Sequence, residues 1–201
     1  LSATESIKYR QGFEPLLPGF VFCRYNDLSD FEQSIDGQTV AILVESIQGE
    51  GGLEAASDEF LLGLETLCSK HNLLFLMDEV QAGIARTGEF LGYQKSGTRP
   101  HAIAMAKGLG GGFPIGAIWV DQPHSQLFTP GSHGTTYGGS PLACTAAHSV
   151  LDVIENENLI EQAKTKGEGF KIGLQNLAVQ FPQKITEIKG RGLMLGLGLT
   201  F

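Results

Sequence analysis

The chain has 201 residues, of which 42% are apolar, and 14 basic against 22 acidic side chains give it a formal net charge of −8. This length allows one sizeable hydrophobic core and is too short for two full domains and a linker. The acidic balance, with no basic run, argues against nucleic acids and membranes as partners. No apolar run approaches the roughly 18 residues that cross a bilayer.

The first half of the chain alternates strand and helix signals. Residues 1–38 are rich in loop formers, including Pro15 and Pro18. The continuous apolar run over 39–45 predicts a strand that is buried on both faces. Ser57, followed by two acids, predicts the start of a helix. Later apolar runs predict further strands over 73–77, 102–106 and 115–120.

This strand–helix–strand order predicts an α/β fold with a mostly parallel sheet flanked by helices. A helix is predicted to begin at Pro141 and to end near residue 156. The apolar face expected for it consists of Leu142, Ala146, Val150 and Ile154.

The C-terminal part of the chain has a different pattern. A second helix is predicted over 159–180, weakened near Gly167 and Gly169, and strand character returns over 184–200. We therefore predict a domain boundary near residue 157. Residues 1–157 would belong to a larger domain, and 158–201 would begin a smaller C-terminal one.

Three ionisable residues directly follow apolar runs. Glu45, Asp78 and Lys107 each stand where a predicted strand ends. In open parallel sheets, ligands bind beyond the carboxyl ends of the strands. The three charges are therefore either three solvated strand ends or one shared polar site.

The types of these three residues indicate a chemistry. A lysine at a buried strand end has a lowered pKa, and its neutral amine can form a Schiff base with a carbonyl. A carboxylate nearby can keep a pyridine nitrogen protonated, which is the arrangement used by pyridoxal phosphate enzymes. The glycines after Lys107, at 108 and 110–112, leave room for a flat ring.

Four segments extend this pattern. Residues 44–52 read Val-Glu-Ser-Ile-Gln-Gly-Glu-Gly-Gly, and residues 76–88 read Leu-Met-Asp-Glu-Val-Gln-Ala-Gly-Ile-Ala-Arg-Thr-Gly. Residues 106–117 surround Lys107, and residues 133–141 read His-Gly-Thr-Thr-Tyr-Gly-Gly-Ser-Pro. In this order they resemble the motifs of class III pyridoxal-phosphate-dependent aminotransferases. The opening stretch, 9–20, most resembles the acetylornithine and succinylornithine branch of that family.

The resemblance implies fold type I of pyridoxal-phosphate-dependent transferases, and it implies roles for single residues. Lys107 would hold the cofactor through a Schiff base and then carry protons. Asp78 would pair with the pyridine nitrogen, and Gln81 would bond to the phenolic oxygen of the ring. Thr136 would donate to the cofactor phosphate from the neighbouring subunit of a homodimer.

Two further acids are implied to lie near the substrate. Glu50 would lie near the Schiff base, and Glu45 would lie in the substrate pocket. In the acetylornithine branch, the glutamate that matches Glu45 pairs with the arginine that binds the carboxylate of 2-oxoglutarate. For both residues, a role in fixing a loop is an equal alternative.

The activity implied by the resemblance is transamination from N2-acetylornithine to 2-oxoglutarate, a step of arginine biosynthesis. The alternatives within the family are ornithine, 4-aminobutyrate or succinylornithine aminotransferases and glutamate-1-semialdehyde aminomutase. A non-catalytic scaffold homologue is the alternative from another class. The three cysteines contain no C-x-x-C pair, which favours a reducing, cytoplasmic location.

The chain also departs from the family pattern. Ser46 stands where the family usually has proline. The phosphate loop, the ring-stacking aromatic residue and the arginine that binds the substrate carboxylate are not found within these 201 residues. We therefore expect the chain to be the central part of a longer enzyme and to be inactive by itself.

Overall fold

The computed structural model describes residues 1–200, in two compact units that divide between Thr39 and Val40. The first unit contains two short helices, α1 (Ile7–Arg10) and α2 (Leu28–Ser34). The sequence predicted a segment rich in loops and without a long element, and both helices are short. Helix α2 begins because Asp27 accepts a hydrogen bond from the backbone N–H of Asp30 at 3.1 Å, a local cap that hydrophobic periodicity does not reveal.

The second unit contains all the strands of the described residues and three longer helices. The helices are α3 (Asp58–His71), α4 (Pro141–Asn156) and α5 (Leu159–Gln180). Short 3₁₀ helices cover Gly92–Ser96, Lys107–Gly110 and Ser125–Leu127. The strands are β1 (Ala41–Glu45), β2 (Ile47–Gln48), β3 (Glu54–Ala55), β4 (Leu74–Asp78), β5 (Ala102–Met105), β6 (Ala117–Val120), β7 (Ile185–Arg191) and β8 (Met194–Leu199).

The central sheet has the strand order β1-β4-β5-β6. Strands β1, β4 and β5 are parallel, and β6 pairs antiparallel with β5 at one edge. This mostly parallel sheet, flanked by helices, confirms the predicted α/β fold. The domain boundary predicted near residue 157 stays a prediction.

One face of this sheet is covered and the other is open within the described chain. Val44, Met77 and Ile103 lie in register across three strands and are buried on the face that α3 covers. On the opposite face, Leu43 is 47% exposed and Ile118 is 64% exposed. The prediction that β1 is buried on both faces was therefore wrong, because residues 42 and 44 of the strand are buried and Leu43, between them, is exposed.

Helix α3 has the capping chemistry that the sequence predicted. The Ser57 hydroxyl accepts a hydrogen bond from the N–H of Phe60 at 3.1 Å, and two acids occupy the first turn. Asn72 ends the helix in the left-handed conformation. The buried face includes Cys68, and burial raises the pKa of its thiol to about 12. All three cysteines are free.

Helix α4 has the predicted bounds but a different buried face. Ala143, Ala147 and Ile154 are its buried residues, whereas Leu142 is 66% exposed. The four residues of the predicted face are spaced four apart in the sequence. Because a helical turn takes 3.6 residues, each step of four residues rotates about 40° past a full turn, and the first and last residues of the predicted face therefore point in different directions.

No helix of the described chain is both long and apolar enough to span a membrane.

Helix α5 is continuous through Gly167 and Gly169, the two glycines that were expected to weaken it. It packs against the antiparallel hairpin of β7 and β8, where the sequence predicted strand character. At Gly167 a Cβ would lie 2.6 Å from the Cα of Gly192, so only glycine allows this approach of helix and hairpin. Gly167 is therefore needed for packing and does not interrupt the helix.

His101 connects the start of β5 to the centre of β4. Its Nδ1 accepts a hydrogen bond from the N–H of Phe75 at 2.8 Å, and its own N–H donates to the Phe75 carbonyl. Nearby, Nδ1 of His124 lies 2.6 Å from Oδ1 of Asp121. The ligand atoms of His101, Asp121 and His124 lie within 4.8 Å of one another, but both Nδ1 atoms already have partners.

We expect His101→Ala to lower the free energy of unfolding by about 1–3 kcal/mol, because it leaves the N–H of the buried Phe75 without its acceptor. Urea unfolding measures this change. His148→Ala, at an exposed position of α4, is the control and should have little effect. Equal losses in the two variants would contradict this role of His101.

Candidate active site

Two carboxylates lie side by side at the carboxyl end of the sheet. Strands β1 and β4 end at Glu45 and Asp78, which are register partners. Because in-register residues of neighbouring strands share a face, both side chains point to the same side of the sheet as Leu43, away from α3. The site predicted at the strand ends is therefore on the open face of the sheet.

Glu45 interacts with three other ionisable residues. Its side chain is half-buried, and its Oε2 accepts a hydrogen bond from the N–H of Gly49 at 3.3 Å. Burial raises the pKa of Glu45, and the negative charges of Asp78 and Glu50 raise it further. The Gly49 N–H and the positive charge of Lys107 oppose this rise in pKa.

Asp78 is held at one carboxylate oxygen. Its Oδ1 accepts a hydrogen bond from the N–H of Val80 at 2.9 Å, and the residue is half-buried. A carboxylate has acceptor positions on both of its oxygens. The second oxygen is therefore available to a donor on the open face.

Lys107 stands two residues beyond the end of β5, as the first residue of the 3₁₀ helix Lys107–Gly110. Its backbone has φ +42°, in the left-handed region that a non-glycine side chain disfavours. Such strain is concentrated at functional sites. The sequence predicted a buried strand end, whereas the side chain of Lys107 is exposed because the chain has already left the sheet.

Gln81 packs against the turn that follows β2. A Cβ at Gly49 would lie 2.6 Å from the Nε2 of Gln81, so the side-chain amide lies directly against this glycine. Glu50, the next residue, is exposed. Gly49 thus connects Gln81 to the turn that carries Glu50 and to the carboxylate of Glu45.

Thr136 lies in an exposed stretch between the 3₁₀ helix Ser125–Leu127 and α4. Within residues 1–200, no hydrogen bond or ion pair connects it to Lys107 or Asp78. An apolar cavity of about 500 Å³ lies near this stretch, lined by Ala104 and His133 among others. The structure thus brings together five of the six predicted site residues and leaves Thr136 outside their contacts.

Glu79, next to Asp78, has a different environment. It is fully buried, and its two carboxylate oxygens accept hydrogen bonds from the N–H groups of Gly92 at 2.7 Å and Tyr93 at 3.1 Å. Burial raises the pKa of Glu79, and these donors oppose the rise. The side chain fixes the 92–93 turn against the sheet.

The side chains of this site match the functional groups of pyridoxal phosphate. An exposed amine at Lys107 suits the aldehyde of the cofactor, and the free oxygen of Asp78 suits a protonated ring nitrogen. Residues 111–114 are exposed, and Gly112 has no atom within 4 Å of a Cβ position, which leaves space beside the amine. The residues present therefore fit this cofactor.

The chain is similar in sequence to aminotransferases along nearly its whole length. The pattern of the Aminotransferase class-III family matches residues 1–200. The acetylornithine aminotransferase of Aquifex aeolicus (strain VF5) is 48% identical over 199 residues, which are 99% of this chain and 51% of that protein. The chain spans about half the length of the curated relatives it matches.

The fold of the chain is similar to the folds of solved aminotransferase structures. The ornithine aminotransferase of Toxoplasma gondii, described with partial occupancy of PLP at its active site, superposes with a TM-score of 0.94 at 33% identity. The match covers 99% of this chain and 47% of that one. The acetylornithine aminotransferase of Elizabethkingia anophelis has a TM-score of 0.86 at 36% identity, over 94% of this chain and 48% of that one.

We expect Glu45→Gln to change how stability depends on pH. Because the fold raises the pKa of Glu45, its contribution to the free energy of unfolding is fully present below the ordinary value of 4.5. This contribution is lost as the pH rises through the folded pKa. The wild type should therefore lose stability relative to Glu45→Gln as the pH rises above 4.5.

Urea unfolding of both proteins between about pH 4 and pH 8 measures this difference. Glu155→Gln, at an exposed position of α4, is the matched control and should show a difference independent of pH. A constant difference for Glu45→Gln, or a slope of the opposite sign, would show that burial does not raise the pKa of Glu45.

Proposed function

The chain belongs to the Aminotransferase class-III family, and on this premise we propose that its protein transfers an amino group from N2-acetylornithine to 2-oxoglutarate with pyridoxal phosphate. Enzymes of this family depend on that cofactor. The acetylornithine aminotransferases among its relatives, 40–48% identical to this chain, support this amino donor. The reaction would be a step of arginine biosynthesis.

The observation that carries the proposal is the register of β1 and β4. It pairs Glu45 with Asp78 at the strand ends, and Lys107 lies close enough to influence the pKa of Glu45. Transamination with this cofactor requires an amine for the Schiff base and a carboxylate for the pyridine nitrogen, the roles proposed for Lys107 and Asp78. A scaffold without catalytic activity would need neither Lys107 nor Asp78.

When bound, pyridoxal phosphate supplies an aldehyde that takes up the amino group and a ring that accepts electrons from the substrate carbon. Lys107 Nζ would hold the cofactor until the amino donor replaces it. The freed amine would then move a proton between the substrate carbon and the cofactor carbon. The exposure of Lys107 suits this exchange, because its side chain has room to move aside.

Asp78 and Gln81 would orient the ring. The free oxygen of Asp78 would accept a hydrogen bond from the ring nitrogen and so keep that nitrogen protonated. The amide of Gln81, which lies against Gly49, would donate a hydrogen bond to the phenolic oxygen of the ring. Together, these two contacts would orient the ring.

Glu45 and Glu50 would contact the substrate. Glu45 lies at the end of β1, in register with Asp78 and on the same face of the sheet, which places it beside the proposed cofactor site. Thr136 would bind the cofactor phosphate of a neighbouring subunit, and its exposure within one chain is consistent with that role. The homodimer, the cytoplasmic location and the small C-terminal domain beginning at residue 158 remain proposals.

Ornithine is the second candidate donor, because several ornithine aminotransferases are among the similar structures, one with a TM-score of 0.94. 4-Aminobutyrate, succinylornithine and glutamate-1-semialdehyde remain as further alternatives. An aminomutase needs no external oxo acid, which distinguishes it from every aminotransferase. The donor is therefore decided by an assay rather than by the fold.

Lys107→Ala tests the proposed cofactor site. We add pyridoxal phosphate to the purified chain, reduce with borohydride and map the labelled peptide. The label should lie on Lys107 and disappear in Lys107→Ala, whereas Lys184→Ala, an exposed control, should keep it. Label distributed over other lysines and unchanged in Lys107→Ala would contradict the assignment.

A donor panel tests the proposed reaction on the protein as its cell makes it. Glutamate formed from 2-oxoglutarate should appear fastest with N2-acetylornithine, ahead of ornithine and 4-aminobutyrate. Lys107→Ala should lower this rate by roughly 10²–10⁴-fold, as expected for the loss of a positioned proton carrier. Turnover without any oxo acid would indicate an aminomutase instead.

A further inference from the structure

A cleft of about 350 Å³, with charged side chains among its lining residues, lies between the segment 87–95, helix α5 and the β7–β8 hairpin. None of Glu45, Asp78 and Lys107 lines it. Four cationic side chains line the cleft together with two acidic ones. The cationic residues are Lys95, Lys164, Lys171 and Arg191, and the acidic ones are Glu89 and Glu168.

Three backbone segments meet directly to form one wall of the cleft. A Cβ at Gly192 would lie 2.6 Å from the carbonyl oxygen of Thr87, and a Cβ at Gly167 would overlap Gly192 itself. Gly88 faces Lys164, where a Cβ would lie 3.1 Å from the lysine Cβ. The N–H of Leu193 also donates to the Arg86 carbonyl at 3.0 Å. These contacts make the wall rigid before any ligand arrives.

Two of the four cations form no ion pair within residues 1–200. These are Lys164 and Lys171. Asp58 lies 3.6 Å from Lys95 and 4.0 Å from Arg191, and the charge of Glu79 also acts on Arg191. The unpaired positive charge is therefore on the α5 side of the cleft, where it attracts anions.

Two polar atoms in the cleft residues have no partner. Thr87 is 8% exposed, and its Oγ1 forms no hydrogen bond in the described chain. The Nε of Arg191 is likewise buried and unbonded, although its Nη2 donates to the Gly92 carbonyl at 3.3 Å. Buried polar atoms rarely remain unsatisfied, and a bound ion is one of the explanations for such an exception.

We propose that this cleft is a binding site for inorganic phosphate. The four cations would bind its oxygens, and rotation of Thr87 about its Cα–Cβ bond would turn the hydroxyl towards the cleft. Charge-assisted hydrogen bonds from lysine and arginine are the usual contacts of phosphate in proteins. The site does not depend on the aminotransferase activity.

The two acids select among tetrahedral anions. At neutral pH, inorganic phosphate keeps at least one O–H group, which a carboxylate of Glu89 or Glu168 can accept. Sulfate has no O–H to donate, and a phosphate monoester dianion has none either, so both meet repulsion from these carboxylates. The cleft should therefore prefer inorganic phosphate to either of them.

Calorimetric titration of the protein as its cell makes it, at constant ionic strength, tests the proposal. Inorganic phosphate should bind more tightly than sulfate, glycerol 3-phosphate or succinate. The double variant Lys164→Ala with Lys171→Ala should bind phosphate at least about tenfold more weakly. Lys166→Ala, which faces Gln162 on the same helix, should bind it unchanged.

Two further variants distinguish phosphate bound in this cleft from phosphate bound at the proposed cofactor site. Thr87→Val should stabilise the phosphate-free protein, because it removes an unsatisfied hydroxyl, and should weaken phosphate binding. Thr136→Ala should leave phosphate binding intact. The proposal is overturned if phosphate does not bind, if the lysine pair has no effect, if Thr136→Ala abolishes binding, or if sulfate binds as tightly as phosphate.

Discussion

The register between β1 and β4 is the constraint on which the rest of the site depends. It places the carboxylates of Glu45 and Asp78 next to each other, an arrangement that like charges oppose. Two hydrogen bonds offset part of this repulsion: the N–H of Gly49 donates to Glu45, and the N–H of Val80 donates to Asp78. The nearby positive charge of Lys107 offsets a further part of the repulsion. A one-residue slip in register would turn one carboxylate to the opposite face and separate the pair.

Close backbone contact explains much of the glycine content. Gly49 allows the Gln81 amide to lie against its turn, and Gly167 allows α5 to meet the β7–β8 hairpin at Gly192. The first contact shapes the proposed cofactor site, and the second shapes the wall of the cationic cleft. Buried Glu79 lies between these regions, because it follows Asp78 in sequence and binds the 92–93 turn. Glu79 thus links the end of β4, beside the proposed cofactor site, to the turn at Gly92, which lines the cleft.

The strands and longer helices could be predicted from apolar runs and caps, because those signals are local. The sequence also predicted that Glu45, Asp78 and Lys107 follow strands. It did not reveal that one sheet face is open, since a fully apolar run is the same whether one face or both are covered. The sequence also did not predict the cationic cleft beside α5. Thr87, Lys164 and Arg191 are distant in sequence and form no motif, so only the fold brings them together.

A crystal structure of the protein with pyridoxal phosphate is the decisive measurement of whether Asp78 and Lys107 hold one cofactor between them. We expect continuous density between Lys107 Nζ and the cofactor. We also expect a distance of about 2.7–3.2 Å from the ring nitrogen to the free oxygen of Asp78. A cofactor bound elsewhere, or a ring nitrogen that faces no carboxylate, would refute these roles of Asp78 and Lys107.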